Sequence, residues 1–109
     1  MGRDSAAWSG DDPSMQPCVY IMASGYNGTL YVGVTSSIVH RAWQHREGLI
    51  GGFAKRHRTR MLVHYELLGS MPEAIRREKQ IKEWRRAWKI DLIERGNPTW
   101  RDLYPEIAQ

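Results

Sequence analysis

The sequence predicts a small α+β domain, in which helices flank a three-stranded antiparallel sheet in the order β-β-α-β-α-α. Three observations support this class. Three short segments show the alternating pattern of strands, and turn-forming residues separate the first two. Two later segments have capping residues at their starts and apolar residues at helical spacing. The chain has 109 residues, which is the size of one compact domain.

The first two strands are predicted at residues 18–23 (CVYIMA) and 29–34 (TLYVGV). The segment between them, SGYNG, contains the Asn-Gly pair that favours a tight hairpin turn. The sequence therefore opens with an antiparallel hairpin.

Two tyrosines of this hairpin are expected on one face of the sheet. A turn centred early in SGYNG pairs Tyr20 with Tyr31, whereas a turn centred on Asn27-Gly28 pairs Tyr20 with Thr35. Both registers keep the tyrosines on one face, because residues an even number apart on a strand point the same way. An aromatic pair that supports the sheet and two phenols at a shared site are both open interpretations.

The remaining helices and the third strand are predicted from residues that cap or end helices and from the pattern of apolar residues. A helix is predicted over residues 38–47, after the capping segment TSS and before a glycine. The basic segment GLIGGFAKRHRTR is predicted as a flexible loop, and residues 61–68 (MLVHYELL) as the third strand. A second helix begins near Pro72, and helical structure continues to about Arg95, where Gly-Asn-Pro ends it.

The predicted organisation is a disordered arm at residues 1–16, a domain at residues 17–104 and a tail at residues 105–109. One cysteine cannot form an internal disulfide, which fits a reducing compartment. No apolar segment approaches the roughly 18 residues of a membrane span. The N-terminus also lacks a signal-peptide pattern. We therefore expect a soluble cytoplasmic protein with no membrane partner.

The charge is concentrated in the middle of the chain. The net charge is +4, and 15 of the 16 basic residues lie within residues 41–101, between two acidic ends. This distribution indicates a surface that meets a polyanion, although a solvated arginine-rich helix surface gives the same count. The candidate contacts to a nucleic-acid backbone are Lys55, Arg56, Arg58 and Arg60.

Arg41 and His45 lie four residues apart on the first predicted helix, so they share a face. That face also carries Ile38 and Ala42, which predicts that it turns inward or along a cleft. A guanidinium suits a phosphate because two N–H groups meet two oxygens in one plane. An imidazole donates a hydrogen bond or moves a proton near neutral pH. A surface arginine and a capping histidine are the alternative.

Glu78 lies on the apolar stripe of the second helix, between Ile75 and Ile81. A carboxylate that is buried without a partner costs several kcal/mol, so Glu78 needs a partner. One carboxylate with several waters is an acceptable magnesium site beside a phosphate. An ion pair with Arg41 or Lys82 is the alternative.

Other residues receive structural interpretations. Cys18 lies in a strand and is expected to be a small core residue. Trp84 and Trp88 have helical spacing and are also expected in the core. The histidines show no zinc-binding spacing.

These residues together resemble the GIY-YIG nuclease family over roughly residues 17–104. Six features occur in the family's order and on suitable elements. One departure is that Cys18 stands where the first motif of the family has glycine; this is a strand position and not a reacting group. The matching positions are Cys18-Val19-Tyr20, Tyr31-Val32-Gly33, Arg41, His45, Glu78 and Asn97.

The resemblance implies a metal-dependent endonuclease that hydrolyses phosphodiester bonds of DNA with a single divalent ion, Mg²⁺ or Mn²⁺. The compact size resembles stand-alone bacterial members without a separate DNA-reading domain. We therefore expect selection of branched or damaged DNA structures, as in DNA repair, rather than of a sequence. RNA is a possible substrate, and the oligomeric state is left open. The alternatives are a non-catalytic nucleic-acid-binding module of the same fold and a domain that binds an acidic protein.

The resemblance also implies residue roles. Glu78 would bind the metal ion, Tyr20 would act as general base, and Arg41 would stabilise charge on the phosphoryl oxygens. Tyr31 and His45 would orient water and assist proton transfer. An ordinary phenol with a pKa near 10 is a poor base at neutral pH, so a nearby cation or metal must favour its ionised form. The implied structural braces near the site are Gly33 and Asn97.

Overall fold

The computed structural model describes residues 15–109, so nearly all of the predicted arm at 1–16 lies outside the described residues. Three strands form one antiparallel sheet in the order β2-β1-β3, with helices on both faces. This confirms the predicted α+β class and the order of the six main elements. The elements are β1 (Cys18–Ala23), β2 (Leu30–Thr35), α1 (Ile38–Arg46), α2 (Phe53–His57), β3 (Met61–Leu67), α3 (Met71–Glu83), α4 (Arg86–Gly96) and α5 (Tyr104–Ile107).

Strand β1 is the centre of the structure, and all six of its residues are buried. Its alternate side chains enter two cores, because the sheet is covered on both sides. The first core joins the sheet to α1, and the second joins it to α3 and α4. The first core includes Cys18, Tyr20, Met22, Ile38, Ala42 and Leu103. The second core includes Val19, Ile21, Val32, Ala74, Ile81 and Ile93.

The hairpin register places Tyr20 opposite Gly33, and Tyr31 opposite the residue two beyond Tyr20. This register lies midway between the two predicted ones. The turn sets it, because the Gly28 N–H donates to the Gly25 carbonyl at 3.0 Å and closes a turn between the two predicted centres. Tyr20 and Tyr31 share one face, as predicted from the period of the strands.

Two short helices were not predicted. The basic segment, expected to be a flexible loop, contains α2, which ends at Arg58 in the left-handed conformation. The tail contains α5, and the Leu103 backbone N–H before it donates to the Leu62 carbonyl of the sheet at 2.8 Å. Helices of five and four residues are too short to show a hydrophobic period. No helix within residues 15–109 is long and apolar enough to cross a bilayer.

The core assignment of Trp88 was wrong. Its side chain is 52% exposed, whereas Trp84 packs at the margin of the second core. The reason is the break between α3 and α4, where Trp84 adopts an extended backbone conformation. The two tryptophans therefore lie on different helical segments and do not share one helical face.

Candidate active site

Tyr20 and His45 are brought together by the packing of α1 on the sheet. Ile38 and Ala42 of α1 enter the first core, so the next turn of the same helix face carries His45 onto β1. The Tyr20 hydroxyl and His45 Nε2 lie 3.0 Å apart, which is a hydrogen-bonding distance. Both side chains are buried, with exposed fractions of 0% and 2%. A phenol–imidazole pair therefore sits beneath the surface of the domain.

His45 is neutral at physiological pH. Burial is the main reason that its pKa falls to about 4, and the positive charge of Arg41 lowers the pKa further. A neutral imidazole has one donor and one acceptor nitrogen. When Nε2 is the acceptor, the Tyr20 hydroxyl donates to it and the phenol oxygen keeps its lone pairs. The other nitrogen, Nδ1, is buried and has no hydrogen-bond partner within residues 15–109.

Tyr20 is held in its protonated form. Burial raises the pKa of the phenol, and the nearby Tyr31 raises it further, because two phenolates would repel each other. Arg41 acts in the opposite direction, because its positive charge lowers the pKa of the phenol. Among these neighbours, Arg41 is thus the group that favours the ionised form of Tyr20.

Tyr31 completes a cluster of three rings. Its ring centroid lies 6.3 Å from that of Tyr20 and 5.1 Å from that of His45. Tyr31 belongs to the edge strand β2, so its side chain also borders the surface. There it lines a pocket of about 250 Å³. The other residues that line this pocket are Leu30, Val32, Phe53, Lys82 and Lys89.

Gly33 allows the Tyr20 ring to lie against β2. A Cβ atom at position 33 would be 2.4 Å from the Tyr20 hydroxyl oxygen, well inside any permitted contact.

Cys18, at the start of β1, is buried, and burial raises the pKa of its thiol to about 12. Cys18 is therefore a protonated core residue, as expected.

Glu78 lies on α3, whose Ala74 and Ile81 pack in the second core, whereas Tyr20 belongs to the first core. Its side chain is mostly buried on α3, and Oε2 accepts from Lys82 Nζ at 2.8 Å. Of the two predicted ion-pair partners, Lys82 is therefore the observed one. Lys82 also lines the pocket beside Tyr31, so the Glu78–Lys82 pair connects α3 to the exposed edge of β2.

The donor set at Glu78 suits a hard divalent cation that keeps most of its water ligands. Within residues 15–109 no three His, Cys, Asp or Glu side chains converge, which argues against a cage built of protein ligands alone. Magnesium needs only one or two carboxylates when substrate phosphate supplies other oxygens. The Lys82 side chain is 53% exposed, so it can move aside and release Oε2.

Asn97 connects the end of α4 to the sheet and the C-terminal segment. Its buried Nδ2 donates to the Val63 carbonyl at 3.2 Å and to the Arg101 carbonyl at 2.8 Å. Its Oδ1 accepts from the Arg101 backbone N–H at 3.1 Å. All of these partners are backbone groups, and none belongs to the cluster of Tyr20, Tyr31 and His45.

The predicted backbone contacts lie on the exposed surface of α2 and the segment after it. They are Lys55, Arg56, Arg58 and Arg60. Helix α2 also places Phe53 in the pocket with Tyr31, and α4 contributes Lys89. Sequence reasoning missed Phe53 and Lys89, because neither residue belongs to a motif and only the tertiary fold brings them to Tyr31.

Comparison with known proteins identifies the family of this chain. A family model described as the GIY-YIG catalytic domain matches residues 16–91. A UPF0213 protein of Syntrophus aciditrophicus is 40% identical over 79 residues, which cover 72% of this chain and 90% of the relative. A UPF0213 protein of Staphylococcus haemolyticus is 37% identical over 76 residues, covering 70% and 92%. No solved structure gives a significant match. The chain therefore belongs to the GIY-YIG family.

Proposed function

We propose that this protein is an endonuclease that hydrolyses phosphodiester bonds of DNA with the help of a divalent metal ion. Family membership indicates a nuclease domain and a nucleic-acid substrate. The observation that carries the proposal is the buried Tyr20–His45 hydrogen bond with Arg41 beside it. Both pKa shifts arise mainly from burial and keep the pair neutral, and perturbed pKa values beside a charged group such as Arg41 cluster at functional sites.

The proposed proton path runs from water to Tyr20 and His45. The phenol oxygen accepts a proton from the attacking water while its own proton passes to His45 Nε2, so Tyr20 acts as general base and stays neutral overall. Arg41 binds the scissile phosphate and stabilises its developing charge. An anionic phosphate beside Arg41 also offsets the charge that lowers the His45 pKa, so His45 becomes a better proton acceptor when substrate is bound. Tyr31 orients the water from the pocket side.

Glu78 is the proposed metal-binding residue. Its carboxylate would exchange Lys82 for the cation when substrate phosphate arrives, because the cation carries twice the charge of an ammonium group. A bound Mg²⁺ or Mn²⁺ would supply Lewis-acid stabilisation of the phosphoryl oxygens. Gly33 and Asn97 are proposed to act as braces, the first by making room for Tyr20 and the second by holding α4 on the sheet.

The proposed substrate is DNA of unusual structure, such as a flap or a branch, rather than a particular sequence. The exposed basic side chains on α2 and the segment after it would contact phosphates, which carry no sequence information. They are Lys55, Arg56, Arg58 and Arg60. RNA offers the same phosphates and is a second possible substrate. Action in DNA repair and the cytoplasmic location stay predictions.

A second candidate is a nucleic-acid-binding module that does not cut. The observation in its favour is the Glu78–Lys82 ion pair, because it occupies one carboxylate oxygen of the proposed metal site. In this alternative, Lys82 stays on Glu78 and the ring cluster is only structural.

A cleavage assay decides between the two candidates. Labelled duplex, single-stranded, flapped and branched DNA would be incubated with the protein in Mg²⁺, Mn²⁺ or EDTA. We expect ion-dependent cutting that disappears in Glu78→Gln and persists in the matched control Glu83→Gln, an exposed carboxyl group at the end of the same helix. Salt-sensitive binding without cutting in either ion would favour the binding module.

A further inference from the structure

A second pocket lies at the corner between α3 and α4. Its volume is about 420 Å³, and it is separate from the pocket beside Tyr31. Half-exposed Trp88 stands at this pocket, together with Trp84 from the break between the helices. The remaining lining residues are Arg77, Asp91, Leu92 and Arg95.

The two indole rings form an open corner lined with guanidinium groups. Their centroids lie 6.1 Å apart with an interplanar angle of 76°. Arg77 lies over the Trp84 ring and Arg85 over the Trp88 ring, each at 5.2 Å from the centroid. Arg95 makes no hydrogen bond or ion pair through its side chain within residues 15–109. This corner combines aromatic faces with positive charge.

The position of Arg77 is fixed by the sheet. Glu66 on β3 accepts from Arg77 Nε at 2.8 Å and from Arg77 Nη2 at 3.1 Å. The hydrogen bond from His64, together with those from Arg77, lowers the pKa of Glu66 to about 2, so the carboxylate stays charged. A planar two-point contact of this kind holds a guanidinium in one orientation. The Arg77–Trp84 stack is therefore held in place before any ligand binds.

This corner is adjacent to the proposed active site. Trp88 opens onto the corner pocket, and the next residue, Lys89, lines the pocket beside Tyr31. Consecutive Cα atoms are about 3.8 Å apart, so one turn of α4 borders both pockets. Lys82 and Trp84 repeat this relationship at the end of α3. Each lysine of the Tyr31 pocket therefore lies within two residues of a tryptophan of the corner pocket.

We propose that the α3–α4 corner binds a single-stranded segment of the nucleic acid that flanks the cleaved bond. This inference rests on the proposed function. A base stacks on Trp88, and the backbone phosphates contact Arg85 and Arg95. Stacking on aromatic side chains beside cations is the usual way in which proteins hold single strands. Two perpendicular rings also suit an ammonium ligand, but the surrounding arginines repel a cation.

Binding to a labelled oligothymidylate, measured by fluorescence anisotropy in EDTA, tests this proposal without requiring cutting. We expect Trp88→Ala to weaken binding about tenfold. Trp43→Ala is the matched control, because Trp43 is similarly exposed but lies on α1, across the sheet. Arg95→Gln should weaken binding and reduce its dependence on salt. Equal affinity of Trp88→Ala and wild type would overturn the proposal and favour an acidic protein as the partner of this surface.

A second experiment locates the contact relative to the cut. The base analogue 2-aminopurine, placed about two to four nucleotides from the cleaved bond of a flapped substrate, should lose fluorescence on binding through stacking. Trp88→Ala should abolish this loss, while Glu78→Gln should retain it. Quenching that is independent of Trp88 would overturn the proposed site and leave the nuclease assignment intact. Trp88-dependent quenching without any cleavage would instead refute the nuclease assignment and leave the proposed binding site intact.

Discussion

The phenol of Tyr20 lies directly against Gly33, its partner on the adjacent strand. The register places the two residues opposite each other, and a Cβ atom at Gly33 would be 2.4 Å from the Tyr20 hydroxyl oxygen. The same hydroxyl lies 3.0 Å from His45 Nε2. The glycine of the second motif thus determines where the tyrosine of the first motif can place its oxygen.

Gly33→Ala should therefore impair the site more than the fold. We expect cutting to fall about a hundredfold, because a displacement of roughly 1 Å at a reacting group has that effect. The free energy of unfolding should fall by only about 1–3 kcal/mol from overpacking. Cleavage rates and urea unfolding measure the two effects. Gly25→Ala in the same hairpin is the matched control, because a Cβ atom there has no neighbour within 4 Å.

His45 should make stability depend on pH. Its pKa is about 4 in the folded protein and about 6.5 when unfolded, so only the unfolded state takes up a proton between these values. The stabilising effect is complete above pH 6.5 and is lost as the pH falls toward 4. We expect His45→Gln to remove about 2 kcal/mol of the stability difference between about pH 7 and pH 4.5.

Urea unfolding of wild type and His45→Gln at several pH values measures this dependence. His57→Gln is the matched control, because His57 is exposed on α2. Parallel pH profiles for wild type and His45→Gln would show that the His45 pKa is the same in the folded and unfolded states, and would contradict a buried imidazole whose pKa is lowered to about 4.

Asn97 offers a test that separates hydrogen bonding from size. Asn97→Asp keeps the shape but replaces the Nδ2 donor, which bonds the Val63 and Arg101 carbonyls, with an acceptor. We expect a loss of about 2–4 kcal/mol in the free energy of unfolding, because two carbonyls lose a donor and a carboxylate is buried. Thermal unfolding measures the loss. Asn27→Asp, at an exposed turn position, should change stability little, and equal losses in both variants would contradict a bracing role for Asn97.

The sequence predicted the faces of the hairpin but not its register. Side chains alternate between the two faces of a strand, so Tyr20 and Tyr31 lie on one face in either predicted register. The pairing of Tyr20 with Gly33 depends instead on the hydrogen bonds of the turn. Helix α2 was missed because five residues carry no period. Helical spacing alone cannot show that the interruption between α3 and α4 turns the Trp88 side chain outward.

The sequence indicates candidate site residues but not the contacts between them. Tyr20 and His45 are 25 positions apart, so their hydrogen bond exists only after α1 has packed on the sheet. The carboxylate of Glu78 was expected to need a partner, and the choice of Lys82 follows from i,i+4 spacing. The contributions of Phe53 and Lys89 come from tertiary structure alone.

The cutting rate of Tyr20→Phe tests the central claim most directly. This change removes one hydroxyl oxygen and leaves the ring in the core, so folding and DNA binding should be retained. Tyr65→Phe is the matched control, because Tyr65 lies opposite Tyr20 on β3 and packs against the same core. We expect Tyr20→Phe to cut at least about a hundredfold more slowly than wild type, and Tyr65→Phe to cut normally. Cutting by Tyr20→Phe at the wild-type rate would contradict the account.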